Sequence, residues 1–198
     1  MTVELQRTGP LHGWAERFAE LPDEVQIVAE PFVAMSDLRL DATGPAAAAV
    51  AEHLGVTLPT TPSTWVHGHT VTVIWLGPDE WLVTSPFLAA EALEAGLRRA
   101  VGGAGAVIDV SAQRTTLRLR GAHVREVLAT GCAIDLHPRS FPAGSAVQTT
   151  LGLAGVVLLA LDDTVSHYQV LVRSSFARYL ASWLLDAATE YTDPGRGA

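Results

Sequence analysis

Hydrophobic and polar side chains alternate most regularly in the middle of the chain. Leu117 and Leu119 alternate there with Arg114, Arg118 and Arg120. Because side chains along a strand point to opposite faces in turn, this pattern predicts a strand with an apolar face and an arginine face. Solvent is the ordinary environment of such a charged face.

Eight further segments have the length and composition of strands. The run from Val156 to Leu161 is apolar on both faces, which predicts a central strand. Gly77-Pro78-Asp79 is a turn signal between two of the segments, so a hairpin is expected there. The other predicted strands are 25–28, 33–40, 71–76, 80–84, 107–111, 146–151 and 168–173.

Apolar residues at helical spacing predict five helices. One covers 122–130, with Gly121 allowing a sharp entry and Gly131 expected in a left-handed position after its end. Pro45 is expected in the first turn of another, which Gly55 ends. The others are a short helix over 14–21, one capped by Ser85-Pro86 and ended by Gly102-Gly103, and one after Ser174 that runs to about residue 188.

The two halves of the predicted pattern look alike. Leu38-Arg39-Leu40 corresponds to Leu117-Arg118-Leu119, and each segment leads into a helix that a glycine ends. Each half therefore has a β-α-β-β-α order, plus extra strands, which predicts an α+β fold of duplicated, ferredoxin-like halves with antiparallel sheets. The predicted organisation is an N-terminal extension (1–32), a single domain (33–190) of two pseudo-repeats (about 33–110 and 111–190), and a frayed tail (191–198).

The composition and the charge of the chain argue against several classes of function. The 198 residues are 48% hydrophobic and 17% charged, as expected of a packed globular chain, and the net charge of −8 disfavours nucleic-acid binding. The chain contains no lysine. Schiff-base catalysis, a phosphate-binding P-loop and a Ser-x-x-Lys hydrolase each require one, so the chain alone supports none of them.

Three features of the sequence bear on the cellular compartment of the protein. Cys132 is the only cysteine, so no internal disulfide is available, which fits a reducing environment. The first residues lack the apolar core of a secretory signal, and the longest apolar run, 151–161, is too short to span a membrane. We therefore expect a cytoplasmic protein without a membrane partner.

Polar residues with catalytic or metal-binding chemistry are scattered. His67 and His69 would share a face of a strand, as metal ligands do, but no third ligand has suitable spacing, which favours a solvated loop. Asp135 and His137 with Ser111 or Ser140 could form a triad, yet no nucleophile elbow is present. Turn and capping roles explain these residues equally well, so we expect no catalytic, cofactor-binding or metal-binding residue.

Cys132 and the glycine-rich segment have structural interpretations as well. Cys132 has no cationic residue within four positions, which favours a buried structural thiol over a reactive one. The glycines at 102–105 lie between a helix and a strand, the wrong order for a dinucleotide-binding loop.

Partner binding is the remaining interpretation of the aromatic and arginine positions. Tryptophan is a common interface anchor, and arginine pairs with carboxylates in a bidentate manner. Trp75, Trp81, Arg114, Arg118 and Arg120 are therefore the predicted interface residues.

A known family resembles this sequence from Arg7 to about Ala188. It is the gamma subunit of heterotetrameric sarcosine oxidase. The segments that carry the resemblance are Pro10-Leu11, Glu30-Pro31-Phe32, Leu38-Arg39-Leu40, Leu76 to Leu82, Asp109-Val110-Ser111, Arg114-Thr115, Gly131-Cys132 through Pro138, and Arg173 to Ala177.

The resemblance implies a fold like the folate-binding domain of the glycine-cleavage T-protein. It also implies a non-catalytic accessory subunit that contacts the alpha subunit of sarcosine oxidase, in a complex that also contains beta and delta. FAD, FMN, NAD and tetrahydrofolate are then expected in the partner subunits, and no activity is expected of this chain alone.

A second hypothesis is an independent folate-binding or one-carbon-transfer protein of the same fold, with Asp109 or Asp135 as its carboxylate. The folate-fold proteins of iron–sulfur repair are a weaker match. They carry Lys-Gly-Cys, whereas Thr130 stands here in place of the lysine.

Overall fold

The computed structural model describes residues 7–164 and 166–192. Its helices are α1 (Ala15–Ala19), α2 (Pro45–Leu54), α3 (Ala90–Val101), α4 (Val124–Ala129), α5 (Ala177–Ala187) and α6 (Thr189–Thr192). Its strands are β1 (Gln26–Glu30), β2 (Ala34–Leu40), β3 (Trp65–His67), β4 (Thr72–Gly77), β5 (Glu80–Ser85), β6 (Gly105–Asp109), β7 (Arg114–Arg120), β8 (Ala146–Leu151), β9 (Ala154–Ala160) and β10 (His167–Arg173).

The strands form two five-stranded antiparallel sheets. Sheet I has the order β1-β7-β10-β9-β8, and sheet II has the order β3-β4-β5-β2-β6. Strands β7 to β10 take the same places in sheet I that β2 to β5 take in sheet II. The fifth place is filled by β6 in sheet II and by β1 in sheet I, and β1 comes from the predicted N-terminal extension.

The buried side chains form three layers. One face of sheet I packs on α4 and α5, where Leu117 and Leu119 meet Leu180 and Leu184. Sheet II packs in the same way on α2 and α3. A third cluster lies between the two sheets and joins Met35, Ile74 and Leu82 to Val157, Leu159 and Leu171. The alternation along β7 was correctly predicted, because its leucines are buried while Arg118 and Arg120 occupy the other face.

The glycine predictions had different outcomes. Gly55 and Gly102 end α2 and α3, as predicted, and both lie in the left-handed region, with φ of 67° and 59°. Gly131 was expected there after α4, but it has no positive φ. Its lack of a side chain instead admits the Trp183 ring, since a Cβ at Gly131 would lie 2.5 Å from the Trp183 Cζ2. Gly121, with φ of 138°, passes against the carbonyl of Glu24.

The predicted cap at Ser85 is also wrong. Helix α3 begins at Ala90 after an uncapped Ala89. Ser85 Oγ accepts hydrogen bonds from the backbone N–H groups of Phe87 and Leu88 at 3.2 Å, so it closes the turn before the helix.

Two further predictions concern a membrane span and the C-terminal tail. In the part of the chain that the structure describes, no helix has both the length and the apolar character needed to cross a bilayer. The predicted frayed tail begins within α6, and its residues 193–198 lie outside the described residues.

Candidate functional site

A cavity of about 920 Å³ lies where the N-terminal segment covers strand β1 and the start of β7. Apolar side chains of Leu11, Phe18, Ile27, Val33 and Met35 form much of its wall. The segment from Arg7 to Leu21 lies against an edge strand and not over the sheet centre. The cavity therefore depends on residues that sequence analysis treated as an extension.

Strand β7 contributes three polar residues to the lining of this cavity, Arg114, Thr115 and Thr116. The Nε atom of Arg114 and the Oγ1 atom of Thr116 are both buried and have no hydrogen-bond partner among the described residues. They lie two residues apart on a strand, so they share a face of sheet I. Sequence analysis selected Arg114 for its charge, but it had no signal that would identify Thr116.

Charges of both signs lie near Arg114, but it forms no ion pair with a described residue. Burial lowers the pKa of Arg114, and the positive charge of Arg173, directly opposite on β10, lowers it further. Asp37 and Glu80 attract it from sheet II. Arg39 pairs with Glu80 at 2.8 Å, whereas Asp37 Oδ1 lies 3.6 Å from Arg39 and has no hydrogen-bond partner among the described residues. Arg39, Arg98, Arg118 and Arg125 form the ion pairs found among the described residues, and Arg114 is not one of them.

A second polar group lies farther along the same face. Arg118 Nε donates to Glu30 at 2.7 Å, and Gln169 donates to the other oxygen of that carboxylate at 2.8 Å. The His167 ring lies 3.4 Å from Arg118, and burial followed by this positive charge lowers the pKa of His167. The group ties the edge strand β1 to β7 and β10, and Arg120 beyond it is exposed.

The predicted interface residues are not brought together. Trp81 is fully buried and donates from Nε1 to the Pro59 carbonyl at 2.8 Å, so it has no exposed surface to offer. Trp75 lies opposite Trp81 in the β4–β5 hairpin and is half-buried against the helix side of sheet II. The three arginines lie on sheet I.

The two histidines of the His67-Gly68-His69 segment form separate contacts. His67 Nδ1 lies 3.1 Å from Thr72 Oγ1 across the β3–β4 pair. His69 lies against Gly55 at the end of α2. Within residues 7–164 and 166–192, no three His, Cys, Asp or Glu side chains group closely enough to hold a metal ion.

The predicted triad residues close turns. Asp135 accepts hydrogen bonds from the Ser140 hydroxyl at 2.7 Å and from the His137 backbone N–H at 2.8 Å, and these bonds lower the pKa of Asp135. The His137 ring accepts from the Arg139 N–H. Ser111 instead bonds Asp109 and the Met35 backbone, so it belongs to a different loop. Neither aspartate lines the cavity.

Cys132 is half-buried beside the core of sheet I. Burial raises the pKa of its thiol, which lowers the fraction present as reactive thiolate. This environment is that of a structural cysteine.

Comparison with known proteins identifies the family. Residues 39–190 match the family described as "Sarcosine oxidase, gamma subunit family". The chain belongs to this family. The gamma subunit of Arthrobacter sp is 41% identical over 123 residues, which are 62% of this chain and 59% of that relative. The gamma subunit of Corynebacterium sp. strain P-1 is 39% identical over 147 residues, 73% of this chain and 70% of the relative.

Solved structures agree with this gamma family assignment. A chain of the heterotetrameric sarcosine oxidase from Corynebacterium sp. U-96, in complex with pyrrole 2-carboxylate, has a TM-score of 0.86 and 31% identity. The match covers 94% of this chain and 97% of that one. Aminomethyltransferase T of the Bartonella henselae glycine cleavage system matches with a TM-score of 0.62 at 16% identity, over 89% of this chain and 49% of the other. The T-protein-like fold expected from the sequence is thereby supported.

Proposed function

We propose that this chain is a non-catalytic subunit of a heterotetrameric sarcosine oxidase. The observation that carries the proposal is the fit to a chain of such an enzyme over almost the full length of both chains. In this assembly it packs on the folate-binding region of the alpha subunit, with beta and delta in the same complex. The complex acts in the cytoplasm.

The reaction is the oxidation of sarcosine to glycine, with the one-carbon unit passed to tetrahydrofolate. FAD, FMN, NAD and tetrahydrofolate are held by the partner subunits. The roles of the polar residues in this chain support the proposal that the partner subunits carry out the chemistry. Asp109, Asp135 and Ser140 form hydrogen bonds that close turns, and the Cys132 thiol is half-buried.

The partner surface includes the exposed part of the arginine face of β7. Val28 is 58% exposed beside Arg118 and Arg120, and Ile108 on β6 is 53% exposed. Exposed apolar side chains next to arginines form a surface that suits a partner with apolar and acidic residues. Half-buried Trp75 belongs to a second contact on the other sheet.

The two halves of the chain are copies of one unit with the order β-α-β-β-β-α, one strand more than the ferredoxin-like β-α-β-β-α order expected from the sequence. The equal strand orders of the two sheets support this, since each place in sheet I has a counterpart in sheet II. The domain is then residues 33–190, with repeats near 33–110 and 111–190, and β1 of the N-terminal extension adds the fifth strand to the sheet of the second repeat.

Co-expression tests the subunit role. The alpha, beta and delta subunits are produced with and without this chain, and assembly mass, thermal stability and sarcosine oxidation are measured. We expect the complex that lacks this chain to be less stable or incompletely assembled. Full assembly, stability and activity without it would refute the role.

A second experiment reverses one charge on the proposed partner surface. Arg120→Glu is expected to weaken co-purification with the alpha subunit, because an exposed arginine that meets an acidic surface becomes repulsive. Arg98→Glu on α3 is the matched control, since Arg98 pairs only with Glu94 of its own helix. Equal co-purification of the two variants would exclude Arg120 from the interface.

An independent folate-binding or one-carbon-transfer protein is the alternative function. The cavity of about 920 Å³ is the observation that favours it, because this volume suits a cofactor-sized ligand. Calorimetric titration of the isolated chain with tetrahydrofolate separates the two functions. Tight binding favours the independent protein, and no binding favours the accessory subunit.

A further inference from the structure

Strand β1 is an edge of sheet I, and its hydrogen-bonding directions follow from the neighbouring strands. Directly after β7, the Gly121 N–H donates to the Ser166 carbonyl at 2.9 Å. Bonded and non-bonded positions alternate along an antiparallel pair, so the odd-numbered residues of β7 direct their backbone groups to β10. The even-numbered residues of β7 therefore direct theirs to β1.

The same alternation fixes the backbone groups of β1. Val28 and Glu30 lie opposite even-numbered residues of β7, so their N–H and C=O groups bond to that strand. Ile27 and Ala29 then direct their N–H and C=O groups away from the sheet. No hydrogen bond between described residues reaches these four outward groups.

The opposite edge of sheet I, strand β8, is covered by the chain itself. On its outer side the Ala146 N–H donates to the Ser63 carbonyl, and the Thr150 carbonyl accepts from the Ala133 N–H. The N-terminal segment in front of β1 forms no bonds of this kind, since the backbone hydrogen bonds of its described residues stay within the segment. Strand β8 is thus protected against pairing with another chain, and β1 is not.

The cavity of about 920 Å³ lies along this free edge. Its lining includes the consecutive residues 26–33 and residues 7–13 of the N-terminal segment. Leu11 and Phe18 belong to its wall on the helix side of sheet I, whereas Val28 and Met35 lie on the side that faces sheet II. The cavity therefore borders β1 on both faces of the sheet, as the space for one more strand does.

We propose that an extended segment of a partner subunit adds to sheet I as a sixth strand beside β1. Outward donors and acceptors at alternate residues are complementary to another extended backbone, which presents its own groups at the same spacing. Ile27 and Ala29 each donate one hydrogen bond to this segment and accept one from it. The five residues of β1 provide an edge of about 17 Å. The proposal rests on the subunit role proposed above, which supplies the partner chain.

The walls of the cavity select the side chains of the added segment. Successive side chains of a strand point to opposite faces, so the segment presents residues to both walls. Leu11 and Phe18 are apolar on one wall, and Val28, Val33 and Met35 are apolar on the other. The segment is therefore a short run of apolar residues on both faces, without a proline whose missing N–H faces β1.

Amide hydrogen exchange tests the added strand at single residues. It is measured by mass spectrometry with residue-level fragmentation, in the isolated full chain and in its complex with the alpha, beta and delta subunits. In the isolated chain, the amides of Ile27 and Ala29 should exchange faster than those of Val28 and Glu30, which are bonded to β7. In the complex, exchange at Ile27 and Ala29 should slow by about tenfold or more, because the added hydrogen bonds must open first.

Two substitutions at one position separate backbone pairing from other contacts. Ala29→Pro removes one outward donor and places the proline ring in the path of the added strand, while the bonds between β1 and β7 are kept. Co-purification with the partner subunits should weaken by about tenfold or more, as expected for a lost hydrogen bond. Ala29→Ser keeps the N–H group and should co-purify like the parent chain.

The exchange of Val28 and Glu30 in the isolated Ala29→Pro chain establishes whether β1 still pairs with β7. If β1 is displaced in this variant, the exchange at Ile27 and Ala29 in the parent complex decides the result by itself.

Two outcomes would overturn the added strand and leave the subunit role intact. One is a complex in which Ile27 and Ala29 exchange as fast as in the isolated chain. The other is equal co-purification of Ala29→Pro and Ala29→Ser, with β1 in place in both. A chain that forms no complex at all would refute the subunit role, and with it the added strand, because no partner would remain to supply the segment.

Discussion

At the scale of single residues, several side chains have roles that their chemistry alone does not reveal. Gly131 is required for packing: it admits the Trp183 ring beside the sheet I core. The sequence suggests that Trp81 is an interface anchor, but its buried indole donates a hydrogen bond to the Pro59 carbonyl of the same chain. Tyr168 carries a fully buried hydroxyl that has no partner among the described residues.

Replacing Gly131 with alanine is expected to reduce the free energy of unfolding by about 1–3 kcal/mol, because the new methyl group overlaps the Trp183 ring. Gly155→Ala is the control, since a Cβ at Gly155 meets nothing within 4 Å. Its effect should stay within about 0.5 kcal/mol. Urea unfolding followed by tryptophan fluorescence measures both, and equal stabilities would show that Trp183 moves aside freely.

Tyr168→Phe is expected to leave the stability at pH 7 unchanged or slightly higher, because it removes an unpaired buried hydroxyl without changing the packing. Burial raises the pKa of Tyr168 from 10.0 to about 12. The stability linked to this raised pKa is complete below pH 10 and is lost as the pH rises toward about 12. The parent chain should therefore lose more stability than the variant over that interval.

Urea unfolding of both chains at several alkaline pH values measures this difference. Parallel stability curves for Tyr168→Phe and the parent would contradict the raised pKa. A large loss of stability in the variant at pH 7 would reveal a hydrogen bond to the hydroxyl.

At the scale of elements, local rules account for most helix ends and for the hairpin. Gly102 ends α3 in the left-handed region, and nothing within 4 Å would obstruct a side chain there. The requirement for glycine at this position is therefore one of backbone conformation alone. The edge strand β1 is an element that no local rule assigns to sheet I, because its partner β7 lies about ninety residues farther along the chain.

Gly102→Ala is expected to cost about 1 kcal/mol of stability, since alanine is strained in the left-handed conformation. Gly102→Asn should cost less, because asparagine tolerates this conformation better. Thermal unfolding of the two variants compares them under identical conditions. A loss for asparagine that equals or exceeds the alanine loss would point to a side-chain clash and not to backbone strain.

At the scale of the whole molecule, the hydrogen bonds that join the two sheets among the described residues lie on the side of β3 and β8. Trp65 Nε1 on β3 of sheet II donates to the Ala160 carbonyl of sheet I at 3.0 Å, and Thr64 pairs with Ser145 beside it. On the other side, Val28 on β1 and Ile108 on β6 are more than half exposed. The exposed side holds Arg118 and Arg120, which is why we propose it for partner contact.

Trp65→Phe is expected to destabilise the chain by about 1 kcal/mol more than Trp75→Phe, because it removes the indole hydrogen bond to the Ala160 carbonyl, which keeps only its bond from the Gly144 N–H. Both substitutions remove an indole of similar burial. The Trp75 indole forms no hydrogen bond within the described residues, which makes it the matched control. Equal losses in chemical denaturation would show that the Trp65 hydrogen bond contributes nothing to holding the sheets together.

Whether a sequence prediction was correct depended on how far apart along the chain the interacting residues lie. Alternation along β7, the Gly55 and Gly102 helix ends and the β4–β5 hairpin depend on neighbours within a few residues, and these were predicted correctly. The left-handed Gly131 and the Ser85 cap were wrong because distant Trp183 and a tight turn decided those positions. The family was indicated by the resemblance that the ordered motifs carry, and the comparisons then established it.

Residue order and local geometry are enough to show which faces are apolar, where most helices end and to which family the chain belongs. Long-range packing, in contrast, places the N-terminal segment beside a cavity and buries Trp81. It also buries Arg114 Nε and Thr116 Oγ1 without a hydrogen-bond partner among the described residues. The physical reason is that burial and hydrogen-bond pairing depend on strands far apart in the chain, and no local pattern of side chains records which of them will meet.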